Sequence, residues 1–185
     1  MKFKFGIKEV VALGIGTALF VVLTTVQIPL VIVPNTALQP RMAILAFFSA
    51  VFGPLVGAGI GFIGHWLGDA IFYGSVWWSW VFPEIIVGAG IGAFFKKYAV
   101  EEGGFNKGKS IVLFLLTEIV SNAIAWILLA PVLDIIIFKE PVNKVFVQGL
   151  FAFLGNAIII GVLGTVLLIV YSKIVGTSSN LKAED

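Results

Sequence analysis

Six long apolar stretches, each cut off by proline, glycine or lysine, occupy nearly all of this 185-residue chain. A soluble domain cannot hide that much apolar surface: 59% of the residues are hydrophobic and 12% are charged, against about 45–50% and about 25% in ordinary globular chains. A bilayer can, and each crossing takes about 20 apolar residues. The stretches do not alternate, which excludes barrel strands and leaves helices. The sequence therefore predicts an all-α integral membrane protein with six transmembrane helices. They are placed at about 8–26, 40–52, 54–72, 80–97, 110–130 and 144–172, in one transmembrane domain spanning 1–185, with a disordered tail over 174–185. Lys2, Lys4 and Lys8 precede the first stretch, but Val10–Val26 is long for a signal peptide and lacks a small-residue cleavage site, so it reads as the first span.

Placing both termini in the cytoplasm puts nine basic residues inside (Lys2, Lys4, Lys8, Lys96, Lys97, Lys107, Lys109, Lys173, Lys182) and three outside (Arg41, Lys139, Lys144). The chain then runs N-in, C-in, with Trp77, Trp78 and Trp80 at the outer interface. The outer connection from Gln27 to Pro40, stiffened by Pro29, Pro34 and Pro40, reads as an ordered or gating loop. The string Val56-Gly57-Ala58-Gly59-Ile60-Gly61 recurs as Val87-Gly88-Ala89-Gly90-Ile91-Gly92, which shared helix-packing chemistry explains better than duplication. Zero cysteines exclude disulfides and thiolate sites, and a formal charge of +2 without a basic stripe argues against nucleic acid.

Ionisable residues inside a membrane are costly and tend to mark sites. Gly53, Gly57, Gly61, His65 and Asp69 recur every four residues along one helical face; Trp80, Glu84, Gly88 and Gly92 form a second row, and Glu118, Asn122 and Trp126 a third. Gln148 and Asn156 lie on the last helix. Glycines gather toward the inner half and polar groups toward the outer, which describes an outward-facing pocket. Its candidate ligand contacts are Asn35, His65, Asp69, Trp77, Trp80, Glu84, Asn122, Trp126 and Gln148: indole faces for stacking, and acceptors and donors for a small planar polar heterocycle. The acids suit an aminopyrimidine or pyridinium, while His65 and Arg41 leave an anion open. Plainer roles stand beside each: a self-satisfying His65–Asp69 pair, an interfacial tryptophan belt, and Glu118 and Asn156 as interhelical glue.

Gly103-Gly104-Phe105-Asn106-Lys107-Gly108-Lys109-Ser110 fits the P-loop string, but it lacks the preceding buried strand and reads as a basic turn. A lone His65 with scattered carboxylates makes no metal site, and no nucleophile elbow is present, so neither enzyme activity nor a cofactor is expected.

The loop Pro34-Asn35-Thr36, Phe52-Gly53-Pro54-Leu55-Val56-Gly57, Gly61-Phe62-Ile63-Gly64-His65 with Asp69, and Tyr73 through Trp80 together resemble an S component of an energy-coupling factor (ECF) vitamin transporter. Within that group the chain is similar to the hydroxymethylpyrimidine- or riboflavin-type components, and the resemblance covers nearly all of it. It implies a non-catalytic, substrate-binding subunit in a prokaryotic plasma membrane, which docks on a membrane-embedded T component and is driven by two ATPase subunits. It also implies a loop between helices 1 and 2 that closes over ligand, making Asn35, Thr36 and Gln39 lid contacts. The family docks through Ala-x-x-x-Ala on helix 1; here Ala12-x-x-x-Gly16 and Gly14-x-x-x-Ala18 offer two registers. Hydroxymethylpyrimidine and pyridoxine are the favoured substrates, with riboflavin also in range. Nanomolar capture, about −12 kcal/mol, asks roughly −1 kcal/mol per atom of a ligand of about 10–12 heavy atoms, below the ceiling of about −1.5. The rival readings are a stand-alone secondary carrier and a ligand-free membrane scaffold. The first lacks the inverted repeats and broken helices such carriers often show; the second would use the polar rows for packing alone.

Overall fold

The computed structural model of the chain describes residues 5–31, 33, 36–106 and 108–181, with side chains through Thr177. Among these residues there are seven helical runs and one small hairpin. Helix α1 (Ile7–Thr25) begins where the Glu9 carboxylate accepts the Gly6 N–H at 2.8 Å, and it closes on a tight 3-10 turn. Strands β1 (Ile28–Pro29) and β2 (Ala37–Leu38) pair antiparallel, Ile28 opposite Leu38 and Pro29 opposite Ala37. Helix α2 (Arg41–Phe52) stops at Gly53, whose φ of 93° suits glycine, and Pro54 then starts α3 (Pro54–Phe72) at the position where its missing N–H costs nothing. Helices α4 (Trp78–Gly92), α5 (Phe95–Tyr98), α6 (Gly108–Phe138) and α7 (Val142–Thr177) follow, the last continuing as helical backbone to Leu181, within the stretch read from sequence as a tail. Residues 182–185 of that stretch lie outside the described residues.

Four helices, α1, α3, α6 and α7, are long and apolar enough to cross a membrane, which makes this a multi-pass membrane protein. This corrects the expectation of six transmembrane helices. The reason is length: α2 has 12 residues and α4 has 15. At 1.5 Å per residue they reach only about 18 and 23 Å, short of the ~30 Å hydrocarbon layer. Pro40 and the Gly53-Pro54 break fix the ends of α2, and α4 gives way at Gly92 to the separate turn α5. The stretch read at 80–97 joined residues that the backbone separates, whereas the one read at 40–52 has the observed bounds and is too short to cross.

The two short helices are instead the centre of the bundle. Of the twelve residues of α2, nine are buried, including Met42, Leu45 and Phe48. The outward faces of the long helices remain apolar, as Val10, Leu116, Leu154 and Val170 illustrate, and suit lipid. Helices α3 and α4 touch backbone to backbone through the two copies of the repeated hexapeptide. A Cβ on Gly88 would stand 2.3 Å from the Gly57 carbonyl oxygen, and one on Gly61 2.6 Å from the Glu84 carbonyl oxygen. Small residues at these positions therefore bring Glu84 directly against the helix that carries His65 and Asp69.

Candidate functional site

At the hairpin end of the bundle a cavity of about 640 Å³ opens between β1–β2 and the ends of α3, α4, α6 and α7. The hairpin contributes Leu30, Val33, Thr36 and Ala37; the helices contribute Arg41, His65, Asp69, Trp80, Asp134 and Gln148, and Trp77 joins them from just before α4. Gln27 donates to the Tyr73 hydroxyl at 3.3 Å, and Lys144 pairs with Glu140 at 2.6 Å, both among the lining residues.

Arg41 organises one side. It is the first residue of α2, so its side chain leaves the helix beside the hairpin, and it is 3% exposed. Its Nε donates to Gln39 Oε1 at 2.6 Å and its Nη1 to Thr24 Oγ1 at 3.0 Å. Nη2 lies 3.5 Å from His65 Nε2 and 3.6 Å from Glu84 Oε1, and the guanidinium sits 4.7 Å from the centre of the Phe20 ring. One cation thus ties the hairpin base to α1, α3 and α4. His65 stands between two acids: Nδ1 is 3.0 Å from Glu84 Oε1, off the hydrogen-bond direction, and Nε2 is 3.5 Å from Asp69 Oδ1. Asp69 Oδ2 accepts the Trp77 backbone N–H at 3.0 Å.

Asp134 organises the other side. It is 3% exposed, and it accepts the Trp77 indole N–H at 2.8 Å on one oxygen and the Trp80 indole N–H at 2.8 Å on the other. The Ser79 hydroxyl donates to it as well. Phe138 stacks on Trp77 with centroids 4.1 Å apart, and Trp126 meets Trp80 edge-on at 5.3 Å. The result is a cavity with a charged side and an aromatic side, a combination that can hold a flat ring by its face and its polar edge together.

Of the residues nominated from sequence, His65, Asp69, Trp77, Trp80 and Gln148 line this cavity. Glu84, 1% exposed, stands behind His65 and Arg41. Asn122 and Trp126 are not in the lining: Asn122 donates to the Glu118 backbone oxygen at 2.9 Å and to its carboxylate at 3.1 Å, and Trp126 supports Trp80 from behind. Asn35 lies outside the described residues. On α1, Ala12 and Gly16 are buried, Gly16 against Ile60 and Phe48, while Gly14 and Ala18 face outward with open space over Gly14. Sequence reasoning weighed Arg41 only as a partner for an anion, outside the candidate contacts, and passed over Asp134. The signals were there: Arg41 is the chain's one arginine, and Asp134 is the one charge in the apolar run 132–138.

Comparisons with known proteins place the chain in a family. The family described as "ECF-type riboflavin transporter, S component" matches residues 4–173. A UPF0397 protein of Exiguobacterium sp. is 48% identical over 180 residues, covering 97% of this chain and 98% of the relative. UPF0397 proteins of Streptococcus gordonii and Lactobacillus acidophilus are 46% identical over 180 residues and 44% over 182, each covering 97% of this chain and 96% of the relative. No solved structure matches the chain.

Proposed function

Because the chain belongs to the family of S components of ECF-type riboflavin transporters, we propose that its cavity captures a small vitamin or vitamin precursor from outside the cell. Members of this family are non-catalytic, substrate-binding subunits of bacterial membranes, and membership implies T-component and ATPase partners. The finer reading favours hydroxymethylpyrimidine or pyridoxine, with riboflavin, named in the family description, as the larger candidate. The observation that carries it is the pairing, across one cavity, of the Trp77 and Trp80 indoles with the cluster of Arg41, His65 and Asp69. A six-membered aromatic ring bearing hydroxyl and ring-nitrogen groups presents a face to the first and hydrogen-bonding edges to the second. The volume, within the usual 300–1,000 Å³ of small-molecule sites, suits either size of ligand.

The β1–β2 hairpin supplies the cover, with Thr36 and Gln39 on its second limb. Docking to the T component uses Gly14 and Ala18, because Ala12 and Gly16 are already taken up by packing inside the bundle. Native mass spectrometry of the detergent-purified chain, followed by titration with hydroxymethylpyrimidine, pyridoxine and riboflavin, tests the reading. One of the three is expected to bind tightly to the wild type and to be lost in Asp69→Ala and Trp80→Ala. A folded wild-type chain that binds none of them would overturn it.

A further inference from the structure

On the aromatic side of the cavity three donors converge on Asp134. Trp77 is the residue just before α4 and Trp80 lies in its first turn, and both indoles turn toward the same residue of α6. Between them, 54 and 57 residues further along the chain, α6 presents a single carboxylate whose two oxygens are each taken by one indole N–H at 2.8 Å. Ser79, fully buried, adds its hydroxyl to the same group. Neither indole can rotate without giving up a hydrogen bond to a buried acid whose oxygen would then lack that donor. One turn along α6, Phe138 covers one face of Trp77 at 4.1 Å with the planes 15° apart, and Trp77 also lines the cavity. Trp80 is braced edge-on by Trp126, also from α6, at an interplanar angle of 66°.

We propose that Asp134 is the positioning residue of this site: it holds the Trp77 and Trp80 rings as a preformed aromatic wall, and so selects a ligand with a flat aromatic ring over a saturated polar one. The proposal rests on the ligand-binding reading above and extends it. A carboxylate serving only as glue between α4 and α6 would also make these bonds, but its loss would lower stability without altering recognition by the folded protein. The two roles are therefore separable by what the indoles and the ligand do, not by whether the protein melts earlier.

The test uses the full chain in detergent and the Asp134→Asn variant, whose amide keeps the size but can accept on one side only. Nitrogen-15 labelling of the indoles, assigned with Trp77→Phe and Trp80→Phe, reports the wall without any ligand. Titration with hydroxymethylpyrimidine, pyridoxine and riboflavin, read by tryptophan quenching, reports its use. Asp134→Asn is expected to shift both indole signals and speed their exchange with water, and to weaken binding of whichever compound the wild type holds by at least tenfold, with reduced quenching. Asp134→Glu, which keeps the charge but moves the carboxylate, serves if the asparagine variant does not fold; it is expected to displace both signals and weaken binding several-fold. Unmoved indoles, or displaced indoles with unchanged affinity and quenching, would overturn the proposal. A wild type that binds none of the three compounds would instead sink the ligand reading on which it rests.

Discussion

Replacing Arg41 by methionine removes the guanidinium that faces Glu84 and His65 while keeping much of the side chain's volume. The residue is 3% exposed and Glu84 is 1% exposed, so the carboxylate left behind cannot turn to water. Breaking a buried pair from one side costs about 3–5 kcal/mol. The bonds to Gln39 and Thr24 vanish as well, at about 0.5–1.5 kcal/mol each, partly recovered at Gln39, which lines the cavity. For a chain of this size each kcal/mol moves the melting temperature by about 2–4 °C, so Arg41→Met is expected to melt roughly 10 °C or more below the wild type. The partner test is Glu84→Gln. Added to Arg41→Met, it removes the stranded charge and is expected to restore about 2 kcal/mol, giving a clear coupling in the double-mutant cycle. The assay is thermal unfolding of all four proteins in one detergent at one pH. If Arg41→Met melts within 2 °C of the wild type, or if the two substitutions simply add, the claim that Arg41 neutralises Glu84 is wrong.

A Cβ on Gly16 would lie 2.3 Å from the Ile60 side chain whereas one on Gly14 meets nothing within 4 Å, so Gly16→Leu is expected to lose about 1–3 kcal/mol by overpacking. Gly14→Leu should melt like the wild type yet no longer co-purify with the T component; retention of the complex would place docking elsewhere. Outside the membrane-spanning helices, burial pushes the Tyr98 hydroxyl up to about 12, and that hydroxyl donates to the Ile91 carbonyl at 2.9 Å. With an unfolded-state value near 10, Tyr98 contributes stability that is fully present below about pH 10 and is lost as pH rises toward 12. In an absorbance titration of the three tyrosines, Tyr98→Phe should delete the latest phenolate step; an unchanged curve would contradict the burial.

What the sequence made legible was whatever depends on spacing along one helix. Residues four apart share a face, so His65 and Asp69 could be placed together before any fold was known, and both line the cavity. Apolar content alone required a membrane. The number of crossings was not legible in the same way, because hydropathy counts residues and not the length of unbroken helix. The turn after Gly92 cost α4 the reach implied by the stretch read at 80–97, while α2, held between Pro40 and the Gly53-Pro54 step, was counted as a crossing at a length too short for one.

Contacts between distant segments were out of reach for a different reason. Arg41 meets Glu84, and Asp134 meets Trp77 and Trp80, only because glycine contacts set α3 flush against α4 and because α6 runs unbroken to Phe138 beside them. Their partners are fixed by tertiary packing, which no spacing rule encodes. Yet the cost of burying a charge among apolar residues is readable from composition alone. An arginine directly after Pro40 and an aspartate inside an apolar run could each survive there only with partners, and four of those partners, Glu84, His65, Trp77 and Trp80, were already nominated from the sequence. The missing step was to ask what the isolated charges require rather than which face they share. Asked that way, the chain itself points to a site held together from two ends, by a cation under the hairpin and a carboxylate behind the indoles.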